Sequence, residues 1–379
     1  LTIGALGLNQ KDVDGMFRSV GMFTSGDTRE SINEGRSDYL PIFLSETPLI
    51  FQRGIVKPDV TLIHVSPADE HGYHSLGTTV DFIRAAMMNS KYIVAQVNPR
   101  MPRTFGDALV HESHIDAAVE VTAELPEAKP APLTDIEKLI GKHISDNLVE
   151  DGCTLQLGIG SIPDAVLSMC THQKDLGIHS EMISDGAVDL INSGAVTNRF
   201  KAVEPGLTVV TFALGTRKLY DFMNNNPSIS MRVTNFTNNE FIIAKNPKVV
   251  AINSCIEIDI VGQVCSDTLG PKLYSGFGGQ VDFLRGAALS EDGKGKAILA
   301  FPSTTNKGES KIVPFLKAGA CVTTTRAHVH YVVTEYGIAD LFGKNYRQRA
   351  CALINIAHPN HREALERAAF ERLKCMPSP

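Results

Sequence analysis

One carboxylate and two glycine loops carry the chemistry this sequence can offer. The segment His179-Ser180-Glu181-Met182-Ile183-Ser184-Asp185-Gly186 puts Glu181 at a strand end, just before a helix that starts near Ser184-Asp185-Gly186. Gly158-Ile159-Gly160 lies upstream and Gly276-Phe277-Gly278-Gly279 downstream. An acid between two loops of accessible backbone suits covalent acyl chemistry: the acid attacks and N–H groups hold the oxyanion. A carboxylate suits this role because it is already ionised at neutral pH and needs no general base. A lone glutamate is by default a solvated surface charge. Here Met182, Ile183, Val188 and Leu190 around it are apolar, which places it where a sheet meets a helix. In α/β sheets that is the end at which ligands bind.

The loops have readings of their own. Leu155 to Pro163 reads as strand, glycine turn and helix start, with Pro163 in the first helical turn. Free N–H groups there would face an anion such as a pyrophosphate or a carboxylate. The rival is a dinucleotide-binding fingerprint, because Glu181 follows Gly160 by about 20 residues, where a ribose-binding acid belongs. Against it, the third glycine is absent and Pro163 stands in its place. Gly276 to Gly279 permits close backbone approach and offers the Gly279 N–H as an oxyanion donor, or serves as a flexible turn. In Pro302 to Gly308, the hydroxyls and Lys307 suit a phosphate or adenosine contact, or a solvated loop. Glu335, ending the strand-like run Val332-Val333-Thr334, reads as structural when taken alone.

Other chemistries are excluded or disfavoured. No Gly-x-x-x-x-Gly-Lys-Ser/Thr occurs, so a P-loop is out, and no Gly-x-Ser-x-Gly elbow is present. His328-x-His330 would put both rings on one strand face, but no acid or cysteine completes a metal site, and no metal is expected. The formal charge of −6 argues against a nucleic-acid surface. There is no apolar run long enough to span a membrane. Seven scattered cysteines, an odd number without Cys-x-x-Cys, argue for a reducing compartment. The location expected is intracellular, mitochondrial in a eukaryote or cytoplasmic in a bacterium. The chain opens on Leu1 and an apolar, strand-like run, which reads as a fragment whose true N-terminus, with any targeting peptide, lies upstream.

Positioning these residues requires sheets. With 379 residues, 43% of them apolar and 21% charged, the chain has room for two globular domains. Val60–Val65 and Tyr92–Val97 read as strands with helix-like Val80–Met88 between them, a β–α–β rhythm that implies a mostly parallel sheet. Residues 123–134 hold three prolines and read as a linker. Thr134 caps a following amphipathic helix with Ile136, Leu139, Ile140, Ile144 and Leu148 on its apolar face. Thr154–Leu157, Leu207–Phe212, Val249–Asn253 and Ala297–Ala300 are further strands, and Arg362–Leu373 is helical. The domains expected are thus residues 1–122 and 135–379, joined by 123–134.

Taken together, these segments resemble the acetyl-CoA hydrolase/transferase family over essentially the whole chain. The motifs are Gln156 to Gly160, Ser180 to Gly186, Asn253 to Asp259, Ser275 to Phe283, Val333 to Gly337 and Ile356-Ala357-His358-Pro359. The resemblance implies two α/β domains with mostly parallel sheets and an active site at their interface. It implies a CoA-transferase that moves CoA from an acetyl-, butyryl- or 4-hydroxybutyryl-CoA to a free carboxylate such as acetate. Glu181 matches the glutamate that becomes a glutamyl-CoA thioester, and Gly279 the oxyanion amide. Gln156, Leu157, Gly158, Ile159, Gly160, Ile256, Gly279 and Lys307 fall where the family contacts CoA. A second oxyanion donor belongs near Gly4-Ala5-Leu6-Gly7. No cofactor beyond the substrate CoA is implied. The partners are an acyl-CoA and a small carboxylate, and a homo-oligomer is open. Acyl-CoA hydrolysis on the same site and, more remotely, an NAD(P)-dependent oxidoreductase are the alternatives.

Overall fold

The computed structural model describes residues 7, 9–158 and 160–379; the strand-like run Leu1–Leu6 and Ile159 lie outside them. Two parallel sheets organise the chain. In the first, Val60–Val65, Tyr92–Val97 and Ala117–Glu120 lie side by side, all parallel. Ile63, Val65, Ile93 and Ala95 turn inward and are buried, whereas Val60, Leu62 and Tyr92 face out, the two-residue period of a strand. The crossover helix begins only at Ile83 and runs to Met88, later than the expected start at Val80. Asp81 adopts a left-handed φ of 37°, and the Val80 N–H donates to the Thr211 carbonyl instead of opening a helical turn.

The second sheet has six strands in the order Gly177–Ile178, Thr154–Leu157, Val249–Asn253, Lys296–Ala300, Tyr331–Thr334 and Gly337–Asp340. The first five are parallel and the last is an antiparallel edge. Val249 to Ile252 and Ala297 to Ala300 are buried throughout, as strands covered on both faces must be. Because the five strands point the same way, the loops after residues 157, 178, 253, 300 and 334 emerge at one carboxyl edge. The expected strand over Leu207–Phe212 is broken at Thr211. Thr208–Val210 pairs with Ile229–Met231, and Phe212–Ala213 pairs with Met182–Ile183.

The helix Asp135–Leu148 starts in a capping box: Thr134 Oγ1 accepts from the Glu137 N–H at 3.3 Å, and Glu137 Oε2 from the Thr134 N–H at 2.8 Å. Ile140, Ile144 and Leu148 are buried, but Ile136 and Leu139 are 41% and 48% exposed, contrary to the apolar face expected. The buried three are spaced by four, a single line that packs on the helix Ser161–Met169. Gly141 beside that line lets the two helices close, since a Cβ there would press on the Ala165 backbone. Leu139 sits about 100° round the helix from Ile140, and Ile136 belongs to the exposed first turn.

Residues 123–134 form no helix or strand. Leu125 within them is nevertheless buried, and the Tyr220 hydroxyl donates to the Pro126 carbonyl at 2.7 Å. One apolar core runs from Ile63 and Leu76 through Leu155 and Ile178 to Val333. A second, around Val249, Phe283, Leu299 and Leu353, covers the other face of the larger sheet. All seven cysteines are unpaired. Among the described residues no helix is long and apolar enough to cross a membrane.

Candidate active site

The chain pins Glu181 by its backbone on both sides. The Ser180 N–H donates to the Val209 carbonyl at 2.9 Å, and Ser180 Oγ both accepts from the Leu157 N–H and donates to the Leu157 carbonyl, each at 3.1 Å. The Glu181 carbonyl accepts from the Thr211 and Phe212 N–H groups at 3.0 and 3.1 Å. A short strand, Met182–Ile183, intervenes before the helix Asp185–Asn192, whose N-cap is Ser184. Glu181 thus stands just past the carboxyl end of Gly177–Ile178, with its side chain free to face the cleft.

The carboxyl is hemmed in. Asn238 Nδ2 donates to Oε2 at 3.2 Å. Gly279, the N-cap of the helix Gln280–Ala288, lies so close that a Cβ on it would overlap both Glu181 Oε2 and Asn238 Nδ2. Burial pushes the Glu181 carboxyl up to about 8. The nearby Asp282 and Asp81 push the same way, and the Asn238 amide and the Gly279 N–H oppose them. Burial likewise raises Asp282 and Asp81 to about 6. Burial thus works against the ready ionisation expected of this acid at neutral pH. Three acids share one poorly solvated site, which disfavours the charged form of each.

Above the carboxyl opens a cavity of about 430 Å³. Met22, Phe23, Ile42 and Leu44 from the N-terminal stretch line it, with Phe82 and Phe212; Ser25, Thr28 and Thr47 supply hydroxyls. Gly278 closes the wall beside Glu181. The N-terminal stretch grips the glycine loop directly: the Leu44 N–H donates to the Gly278 carbonyl at 3.1 Å, and the Phe43 and Phe277 rings lie 5.6 Å apart.

The remaining predicted residues follow neighbouring strands of the same sheet. Gln156 and Leu157 are buried, and Gln156 Oε1 accepts from Asn253 Nδ2 at 3.0 Å. Gly158 is half-buried, and Gly160 caps Ser161–Met169 with a φ of 127° that favours glycine. Ile256 is half-buried, its N–H donating to the Cys265 carbonyl at 2.9 Å. Lys307 is exposed in the turn between Thr304 and Ser310. Glu181 and Gly279 therefore touch, while the Gln156–Gly160 loop, Ile256 and Lys307 are strung along one edge. Ile159 and the N-terminal donor region over Gly4–Leu6 lie outside the described residues.

Residues 2–128 match the acetyl-CoA hydrolase/transferase N-terminal domain, and residues 215–369 the C-terminal domain of the same family. The chain is 59% identical to a succinyl-CoA:acetate/propanoyl-CoA:succinate CoA transferase of Fasciola hepatica, over 97% of this chain and 77% of that protein. The chain belongs to the acetyl-CoA hydrolase/transferase family. It is also 51% identical to a 4-hydroxybutyrate coenzyme A transferase of Clostridium kluyveri, over 95% of this chain and 84% of that one. The crystal structure of 4-hydroxybutyrate CoA-transferase from Porphyromonas gingivalis superposes with a TM-score of 0.80 at 42% identity, covering 94% of this chain and 86% of that one.

Within this acetyl-CoA hydrolase/transferase fold, several other residues singled out by type pair with neighbours of their own. Glu335 clamps Ser303, accepting from its N–H at 2.9 Å and its hydroxyl at 2.6 Å. His328 and His330 do not share a strand; both precede Tyr331, His328 Nε2 lying 3.4 Å from Arg285 and the His330 ring against Phe342. No group of potential metal ligands occurs among the described residues. Sequence reasoning missed Asn238, Asp81, Asp282 and Ser45. Asp282 carried a signal, an acid in the first turn of a helix opened by Gly279. Asn238 did not: it sits in the polar run Thr234-Asn235-Phe236-Thr237-Asn238-Asn239, and only the fold carries it to Glu181.

Proposed function

We propose that this protein is a CoA-transferase that moves CoA between an acyl-CoA thioester and a free short-chain carboxylate, with Glu181 as the nucleophile. The observation that carries the reading is the Glu181 carboxyl, held against the Gly279 backbone at a helix N-terminus and open to an apolar cavity. Acetyl, butyryl and 4-hydroxybutyryl groups suit a cavity that combines aromatic and aliphatic walls with hydroxyls. The CoA would run along the sheet edge past the Gln156–Gly160 loop and Ile256 towards Lys307.

In this mechanism the Glu181 carboxylate attacks the thioester carbonyl, the C–S bond breaks, and CoA thiolate leaves an acyl-glutamyl anhydride. The thiolate then attacks the glutamyl carbonyl, a C–O bond breaks, and the first acid departs from a glutamyl-CoA thioester. A second carboxylate reverses both steps and leaves with the CoA. Each attack passes through a tetrahedral oxyanion, for which the Gly279 N–H is the donor. Binding of the CoA tail, far from the reacting carbon, supplies energy to that centre. Hydrolysis on the same site differs only in whether water reaches the anhydride or the thioester. The seven unpaired cysteines suit a reducing, intracellular setting.

The test is to incubate the protein with an acyl-CoA, add borohydride and map the product by mass spectrometry. A CoA adduct or a reduced side chain at Glu181 is expected. An unmodified Glu181, together with undiminished exchange between acetyl-CoA and butyrate in Glu181→Ala, would remove the reading. Release of free thiol with and without an acceptor acid separates transfer from hydrolysis.

A further inference from the structure

Asn238 is shared between two acids. Its Nδ2 donates to Glu181 Oε2 at 3.2 Å and to Asp282 Oδ2 at 3.3 Å. An amide nitrogen has two hydrogens, one for each carboxyl. The opposite amide orientation would set the oxygen against the ionised Asp282 carboxylate, which favours the nitrogen facing it. Asn238 Oδ1 is buried without a partner among the described residues, which leaves the two carboxyls to hold the side chain.

Asp282 is in turn anchored from the N-terminal stretch. It is 5% exposed, and its Oδ1 accepts from Ser45 Oγ at 2.8 Å and its Oδ2 from the Ser45 N–H at 3.1 Å. Ser45 follows Leu44, whose N–H holds Gly278. The same two residues of the N-terminal stretch therefore grip both the glycine loop and the acid behind it.

We infer that Ser45 and Asp282 are positioning residues: they clamp Asn238, and through it fix the plane of the Glu181 carboxyl for attack. The inference rests on the reading of Glu181 as nucleophile. Neither residue lines the cavity, so neither needs to touch substrate. Ionised Asp282 also places a negative charge behind Glu181. The groups facing Glu181 are Asp282, Asp81, the Asn238 amide and the Gly279 N–H, and Asp282 is itself faced by Glu240, Ser45 and Asn238.

The test compares acyl exchange by the wild type, Asp282→Asn, Ser45→Ala and Ser45→Thr across the neutral pH range, with thermal melts to confirm folding. Asp282→Asn can keep its oxygen towards Asn238 and the Ser45 N–H, and donate to Ser45 Oγ, so it removes charge while preserving the frame. The acid limb of the rate profile should move down by about one pH unit. Ser45→Ala should lower kcat about tenfold with the KM for acyl-CoA unchanged, as loss of a hydrogen bond to a charged acceptor does. Ser45→Thr, which keeps the hydroxyl, should restore it. Ser45→Ala with wild-type kcat would overturn the inference, as would Asp282→Asn with a kcat plateau far below wild type, because that variant keeps the clamp and loses only the charge. If Asp282→Asn does not fold, the two half-buried Ser45 variants decide. Trapping at Glu181 is run on every protein. No adduct on folded wild type would instead remove the nucleophile, which keeps the two failures apart.

Discussion

The Gly279 backbone lies against the Glu181 carboxyl with no room for a methyl group between them. The φ of Gly279 is −104°, which any residue adopts, so space and not backbone conformation demands glycine here. Gly279→Ala must push either Glu181 or the start of the helix Gln280–Ala288 aside. Overpacking of this kind costs about 1–3 kcal/mol, and displacing an oxyanion donor costs roughly 100-fold in kcat. A thermal melt with acyl-exchange kinetics checks both. An alanine variant with full activity would show that the loop yields and that its amide is not the donor.

The raised Glu181 carboxyl makes a pH prediction. Attack requires the ionised form, so kcat/KM in the free enzyme should climb through the neutral range and level off above about 8. Stability runs the other way. An unfolded glutamate ionises near 4.5, while the folded one holds its proton to about 8. The folded state binds more protons between those values, so this contribution is complete below 4.5 and is lost as pH rises to 8. Glu181→Gln should lack that loss and melt higher than the wild type at the alkaline end. Equal melting temperatures at every pH would show that the carboxyl ionises as freely in the fold as in water.

The two glycine loops, the strands of the larger sheet and Glu181 were legible because each leaves a local mark. Buried parallel strands read as unbroken apolar runs, and glycine marks close backbone approach. The acid's surroundings left no such mark. Asp81, Asn238, Asp282 and Ser45 come from four distant segments, and nothing in the residues beside Glu181 reports three acids in one pocket. For the same reason reference chemistry gave no sign that burial raises this carboxyl above its ordinary range. Periodicity also placed Ile136 and Leu139 on the buried face of Asp135–Leu148, because the pattern does not report how wide a stripe the neighbouring helix covers.

The cap of that helix touches the candidate CoA loop. Glu137 Oε2 closes the capping box with Thr134, and its Oε1 accepts from the hydroxyl of Ser161, the first residue of the helix after Gly160. Thr134→Ala should cost about 1 kcal/mol and leave the KM for acyl-CoA unchanged. Glu137→Ala breaks both links and should raise that KM as well as destabilise the protein. Unfolding curves with steady-state kinetics on the two variants separate the effects. An equal KM in both would show that the loop holds its shape without Glu137.

Lys201 supplies a pH dependence of opposite sign. It is 4% exposed, and its Nζ donates to the Ile178 carbonyl at 2.9 Å and the Leu207 carbonyl at 2.5 Å. Gly177 makes way for it, since a Cβ there would meet Lys201 Cγ at 2.6 Å. Burial lowers the amine to about 7, only partly offset by Glu204. An unfolded lysine keeps its proton to about 10.5, so between 7 and 10.5 the unfolded chain binds more protons and stability should rise with pH. Lys201→Met removes the titration but leaves two carbonyls without their donor, so its absolute stability mixes two effects. The difference between wild-type and variant unfolding free energies isolates the titration, and it should grow steadily from about pH 7 towards pH 10. Glu181 cancels in that difference, because both proteins keep it. A flat difference would mean that Lys201 remains charged in the fold, held by its carbonyls as firmly as by water.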